Sequence, residues 1–248
     1  MNAVFRIFLA AMLVTAVAAQ TIESPLSDTR LTVHTLVRED IFAGLLADDV
    51  DRVTKAEKNL EVLLEKRPAA KHLSLAWKGG AKLYRAVRAH EAKQPDDFKQ
   101  YYQQALDCFA EARRLNYADG GVAAVTGGTY VVLADRLPNP QREAGWSQAY
   151  DHYQSLWKQQ ANVVDKLPVH MRGELLAGLA QSAQRTGRKQ ESAEYLDKIL
   201  AYMRDTPYEA PAKRWKENPE SAATSSISCR NCHDAGRLAV RIASFEKK

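Results

Sequence analysis

From residue 36 to residue 207, apolar side chains recur every three or four positions, the spacing of helices that each bury one face. The stretch 55–68 is the clearest. Ala56, Leu60 and Leu63 share a face, and Pro68 ends the run because proline has no N–H and clashes with the preceding turn. Asp48-Asp49-Val50-Asp51 ahead of it reads as a solvated helix start. Further along, Ala105, Phe109 and Ala112 repeat the pattern, as do Ala149, Tyr153 and Leu156, then Ser192, Leu196 and Ile199. Asp96 is placed to cap the helix that carries Phe109. At the C-terminal end Leu238, Ile242 and Phe245 lie at i, i+4, i+7, and Arg237 and Arg241 fall on another face. Lys247 and Lys248 suit the negative end of that helix dipole.

These stretches repeat one another. Small residues at Gly44, Ala56, Gly80, Ala112 and Gly178 would let helix backbones approach, and Leu60, Tyr84, Phe109 and Tyr153 would fill the space between neighbours. Ala43-Gly44 with Ala56, Leu60, Leu63 and Pro68 resembles the tetratricopeptide repeat. So do Trp77-x2-Gly80-Ala81-x2-Tyr84 with Ala105-x3-Phe109-x2-Ala112, and Gly127-x2-Tyr130 with Ala149-x3-Tyr153-x2-Leu156. A fourth copy runs through Gly178, Gly187, Ser192, Leu196 and Ile199 to Pro207. The joins around Lys93-Gln94-Pro95 and Pro138-Asn139-Pro140 are longer than that family's turn. The resemblance implies an all-α array of about four helix pairs over 36–207, a binding scaffold with no catalysis of its own. An irregular helical bundle is the alternative.

Composition agrees with helices. Of 248 residues, 46% are hydrophobic, and only 12 Gly and 9 Pro are present, too few for an all-β fold with many tight turns. The formal charge of +5 is mild and has no long basic run, so nucleic acid is not implied. No Ser/His/Asp arrangement, phosphate loop or paired-carboxylate signature is readable, so no enzyme is expected.

The N-terminus reads as an export signal spanning 1–19. Arg6 precedes an apolar run at 7–17, which closes on Ala16-Val17-Ala18-Ala19. The run is shorter than the roughly 20 residues of a membrane span. Cleavage after Ala18 or Ala19 would leave a bacterial periplasmic or otherwise exported protein with no span.

From 207 the composition shifts, with prolines at 207, 211 and 219 and a Ser/Ala/Thr run. Residues 208–228 read as a linker or wrapped tail with Trp215 as its anchor on the last repeat.

The final segment, 229–248, begins Cys229-Arg230-Asn231-Cys232-His233. This is the C-x-x-C-H pattern of c-type haem attachment. Two thiols three residues apart can each add to a haem vinyl group, and the adjacent imidazole becomes the proximal iron ligand. One covalent haem c is expected, held by Cys229, Cys232 and His233. A disulfide, a redox-active pair or an incomplete zinc site are the alternatives. The segment also resembles the end of class II cytochromes c. Neither Met nor His follows His233, so a sixth ligand must come from the body or the position stays open. His170, just after Pro168-Val169, is the first distal candidate and Met171 the second; Met203 is also in reach of the last repeat. His34, His72, His90 and His152 read as surface or packing residues, and Cys108 as a small buried hydrophobe. The expected function is electron transfer by a mono-haem protein whose array docks a redox or assembly partner. The rivals are a haem-free scaffold with a structural Cys pair, and a gas-binding protein with open iron.

Overall fold

Among the described residues each periodic stretch forms a helix. The computed structural model describes residues 33–228, and these are all-α, 84% helical with no strand among them. The helices are α1 (Val33–Ala47), α2 (Val50–Lys66), α3 (Lys71–Glu91), α4 (Pro95–Leu115), α5 (Gly120–Leu133), α6 (Gln141–Gln160), α7 (Val169–Arg185), α8 (Lys189–Tyr202) and α9 (Glu209–Glu217). Each odd-numbered helix up to α7 packs most extensively on the even one that follows it. The odd helices α1, α3, α5 and α7 also touch in succession and make a continuous spine; α2, α4, α6 and α8 flank it. Among the described residues no helix is long and apolar enough to cross a membrane.

Local chemistry sets the ends. The Asp49 carboxylate caps α2 by accepting from the Arg52 N–H at 3.1 Å. Asp119 caps α5 by accepting from the N–H groups of Gly121 and Val122. Asp96, expected as a cap, is not one. Pro95 already occupies the first helical position, where its fixed φ is pre-organised, so Asp96 and Asp97 fall in the first turn and favour the dipole by charge alone. The extra length expected in that join lies in the helices themselves: α3 and α4 each run to 21 residues and are joined through residues 92–94.

A recurring packing device is a side chain of a flanking helix seated on a glycine of the spine. Phe109 of α4 covers Gly79 of α3, where a Cβ would come within 2.6 Å of the ring. Tyr153 of α6 lies against Gly127 of α5 and closes directly on Gly178 of α7, so one ring joins two pairs. Val53 of α2 fills the place a side chain at Gly44 would need. At the pair boundaries Glu57 of α2 accepts from Lys82 and Arg85 of α3 at 2.9 and 2.8 Å.

The 208–228 stretch is a wrapped tail, not a free linker. It forms α9 and a 3-10 turn at Pro219–Ala223, and buries Tyr208, Ala212, Trp215, Ala222 and Ile227. The Trp215 indole N–H donates to Ser225 Oγ at 2.8 Å, and α9 packs on α8.

Candidate functional site

Pro168 leads into α7, so His170 and Met171 stand in its first turn, at the rim of the body. The His170 side chain is 53% exposed, and its Nε2 is 3.5 Å from Glu174 Oε2, one turn further on. Met171 is 47% exposed. Met203, by contrast, is fully buried in the core, so it offers no thioether to the surface.

Beside these residues a cavity of about 230 Å³ opens among all four spine helices. Phe42 of α1 and Trp77 of α3 form one wall, edge to face with ring centres 5.7 Å apart. The opposite wall is the small-residue face of α5, Gly121, Ala124, Val125 and Gly128, with Tyr208 near the entrance to α9. Arg38 supplies a cation and donates to Glu39 at 2.9 Å. Loss of water contact pushes the Glu174 carboxyl up to about 7 against a smaller opposing pull from Arg38, although the side chain keeps 24% of its surface accessible. The site therefore offers apolar and aromatic walls with an imidazole, a thioether, a guanidinium and a carboxyl at its edge.

The chain end is tied to the same helix. Gln181 of α7, buried, accepts through Oε1 from Ser226 Oγ at 2.8 Å, the Ile227 N–H at 3.1 Å and the Ser228 N–H at 3.3 Å. Arg185, one turn later, donates to the carbonyls of Ala222 and Ser225. Ser228, immediately before Cys229, is thus fixed against α7.

A wider groove of about 730 Å³ lies between α4 and α6, lined by Tyr102, Phe109, Arg113, Tyr117 and His152 among others. Arg113 sits 4.7 Å over the Tyr117 ring. Burial, helped by the nearby Arg113 charge, pushes His152 down to about 4, so it is neutral at pH 7.

Of the residues singled out in the sequence, Cys229, Cys232 and His233, the tail after them and the export signal lie outside the described residues. His170 and Met171 are both brought to the cavity. His72 pairs with Asp119 at 2.9 Å, His90 packs on Phe98, and His152 is buried, so these three serve the fold. Cys108 is partly buried against the smaller apolar cluster, and desolvation raises its thiol. Sequence reasoning passed over Arg38, Glu174 and Gln181. A signal for two of them was present: His170, Glu174, Gln181 and Arg185 fall on one face of α7.

No family model matches the chain, and neither a curated protein nor a solved structure matches it.

Proposed function

We propose that this is an exported mono-haem c-type cytochrome-like protein that transfers electrons, built on a tetratricopeptide-like array that docks its partner. The observation that carries this is Cys229-Arg230-Asn231-Cys232-His233 downstream of an export-type N-terminus, since covalent attachment suits a compartment where free haem is easily lost. Alternating spine and flanking helices support the array reading.

The body's residues fit such a group. The cavity beside His170 is walled by Phe42 and Trp77, which would shield an apolar ring edge from water, and Arg38 would meet a carboxylate of such a group. Haem, when bound, would supply a one-electron couple. His233 would hold the iron on one side, and Cys229 and Cys232 would each add their S–H across a vinyl group. Gln181 holds the backbone just ahead of them.

The test is expression with a c-type maturation system followed by denaturation and acid-acetone extraction. Haem should remain on the polypeptide, be lost in the Cys229→Ala/Cys232→Ala double variant and persist in Cys108→Ala. A matured wild type without covalent haem refutes the reading and directs attention to a disulfide or zinc.

A further inference from the structure

The two rims of the array differ in chemistry. At one rim flanking helices end and spine helices begin. There His72 of α3 is 2.9 Å from the Asp119 carboxylate at the start of α5, Gly120 lies against Leu156 near the end of α6, and Gly173 of α7 packs on Tyr208 beyond α8. At the other rim spine helices end. Arg136, beyond α5, pairs with Glu91 of α3 at 2.8 Å and with Asp48 beyond α1 at 3.1 Å, and Arg185 of α7 pairs with Asp135 at 3.3 Å. This second rim holds its charges in mutual pairs. Among the described residues the exposed large apolar side chains are Leu115, Tyr117, Val163, Val169, Met171 and Tyr202, and all of them stand on the first rim. Lys66, Arg67, Arg113, Lys158, Lys166 and Arg204 are exposed around them, and none is ion-paired with a carboxylate of the described residues. The exposed carboxylates between them, Glu65, Asp165 and Asp205, are fewer.

We propose that this rim docks the array end-on against an anionic phospholipid surface. The apolar side chains enter between the headgroups, and the surrounding lysines and arginines meet the lipid phosphates. Charge complementarity carries the assignment: unpaired cations ring exposed apolar tips, the pairing that holds a protein on an anionic bilayer without crossing it. Lys and Arg suit the border because their stems lie along apolar surface while their charged ends stay in water. Tyr117 and Tyr202 suit it because an aromatic ring with a polar tip prefers the interface, and Arg113 already lies 4.7 Å over the Tyr117 ring. The apolar tips come from three neighbouring places, the α4–α5 join, the α6–α7 join with the start of α7, and the end of α8. Helices packed 8–10 Å apart bring these within about 30 Å of one another. The tips are spread between cations and not gathered into one groove, so a fluid surface that admits side chains singly fits them better than the fixed relief of a protein. Every residue invoked lies between 66 and 204, so the docking stands apart from the haem reading.

The test is flotation of the mature protein with vesicles of phosphatidylglycerol and phosphatidylcholine in equal parts, beside vesicles of phosphatidylcholine alone. Wild type should float with the anionic vesicles, bind the neutral ones far less, and be released as salt is raised, because screening weakens the attraction. The triple variant Lys66→Glu/Lys158→Glu/Lys166→Glu should lose affinity by more than about tenfold. Tyr117→Ser/Val163→Ser/Met171→Ser, which keeps the charge, should lose several-fold. Lys93→Glu/Lys99→Glu/Lys189→Glu makes the same change of net charge at the opposite rim and should bind like wild type. All of these side chains are exposed, and circular dichroism establishes that each variant is folded. Three results overturn the proposal: equal binding to neutral and anionic vesicles, equal losses from the two charge-reversed variants, or anionic binding that ignores both sets of first-rim changes. Absence of vesicle binding also overturns it, and leaves an acidic protein surface as the occupant of this rim.

Discussion

The spine and the flanking helices are built to opposite rules. In α5, a spine helix, ten of 14 residues are buried, and its glycines and alanines present smooth faces to neighbours on every side. In α4, a flanking helix of 21 residues, only Ala105, Phe109 and Ala112 are buried. A flanking helix meets the body along one stripe, and its charged positions are solvated. A spine helix is enclosed by its own partner and by the pairs before and after it. The difference teaches where specificity resides. Flanking helices supply large anchors such as Phe109 and Tyr153, and spine helices supply the glycines that receive them and the walls of the cavity.

The contrast is open to attack at its strongest joint. Tyr153→Ala removes the ring that links α5, α6 and α7, and should cost about 3–5 kcal/mol, the range for deleting a buried aromatic. Gln100→Ala, on the exposed side of flanking α4, should change stability by no more than about 0.5 kcal/mol. Denaturant titration of the two variants measures both, and similar costs would erase the distinction between the anchoring stripe of a flanking helix and its solvated side.

The next effect sharpens the contrast through pH. His152 belongs to a flanking helix yet faces inward, and burial favours its neutral form in the fold. The unfolded chain takes up the proton near its ordinary value of about 6.5, and the folded chain only at about 4. The unfolded state therefore binds more protons between these values. This contribution is fully present above about 6.5 and is lost as pH falls to 4, by roughly 3 kcal/mol. His152→Phe should flatten the stability profile across that window relative to wild type. An unchanged slope would place the titrating group elsewhere.

Gly44→Leu should cost about 1–3 kcal/mol, because the added side chain must displace Val53 from a close contact of α1 with α2. The smallest effect is expected at a helix end. Asp49→Ala removes the cap of α2 and should cost about 1 kcal/mol. Thermal melts followed at 222 nm rank the two, and a larger loss at Asp49 would reverse the order that close packing implies.

These expectations also mark what was legible in the sequence. Flanking helices announce themselves, since Ala56, Leu60 and Leu63, or Ala105, Phe109 and Ala112, sit on one face with charges between. Pro68 marked the end of α2. The small residues Gly44 and Gly178 were readable as close contacts, but their partners, Val53 and Tyr153, were not, because a partner is chosen by three-dimensional stacking. The cavity was hidden for the same reason: Phe42, Trp77, Val125 and Glu174 meet only when four distant helices align. His170 was picked out from its place after Pro168, a local signal. Gln181 was missed although it shares a face of α7 with His170, Glu174 and Arg185, because what that face holds is seen only once the tail is in place. Asp96 was misplaced as a cap because its carboxylate and the fixed φ of Pro95 both suit a helix start, and the proline sits one residue earlier.

The central claim is that this body carries a covalent haem at its C-terminal end. The most direct measurement is the intact mass of the mature protein from a host competent in c-type maturation, taken after denaturation. The account predicts a chain beginning near Ala19 or Gln20 that is heavier by one haem, with the addition mapped to the peptide holding Cys229 and Cys232. A mass equal to that of the bare polypeptide, with both thiols free or joined to each other, contradicts it.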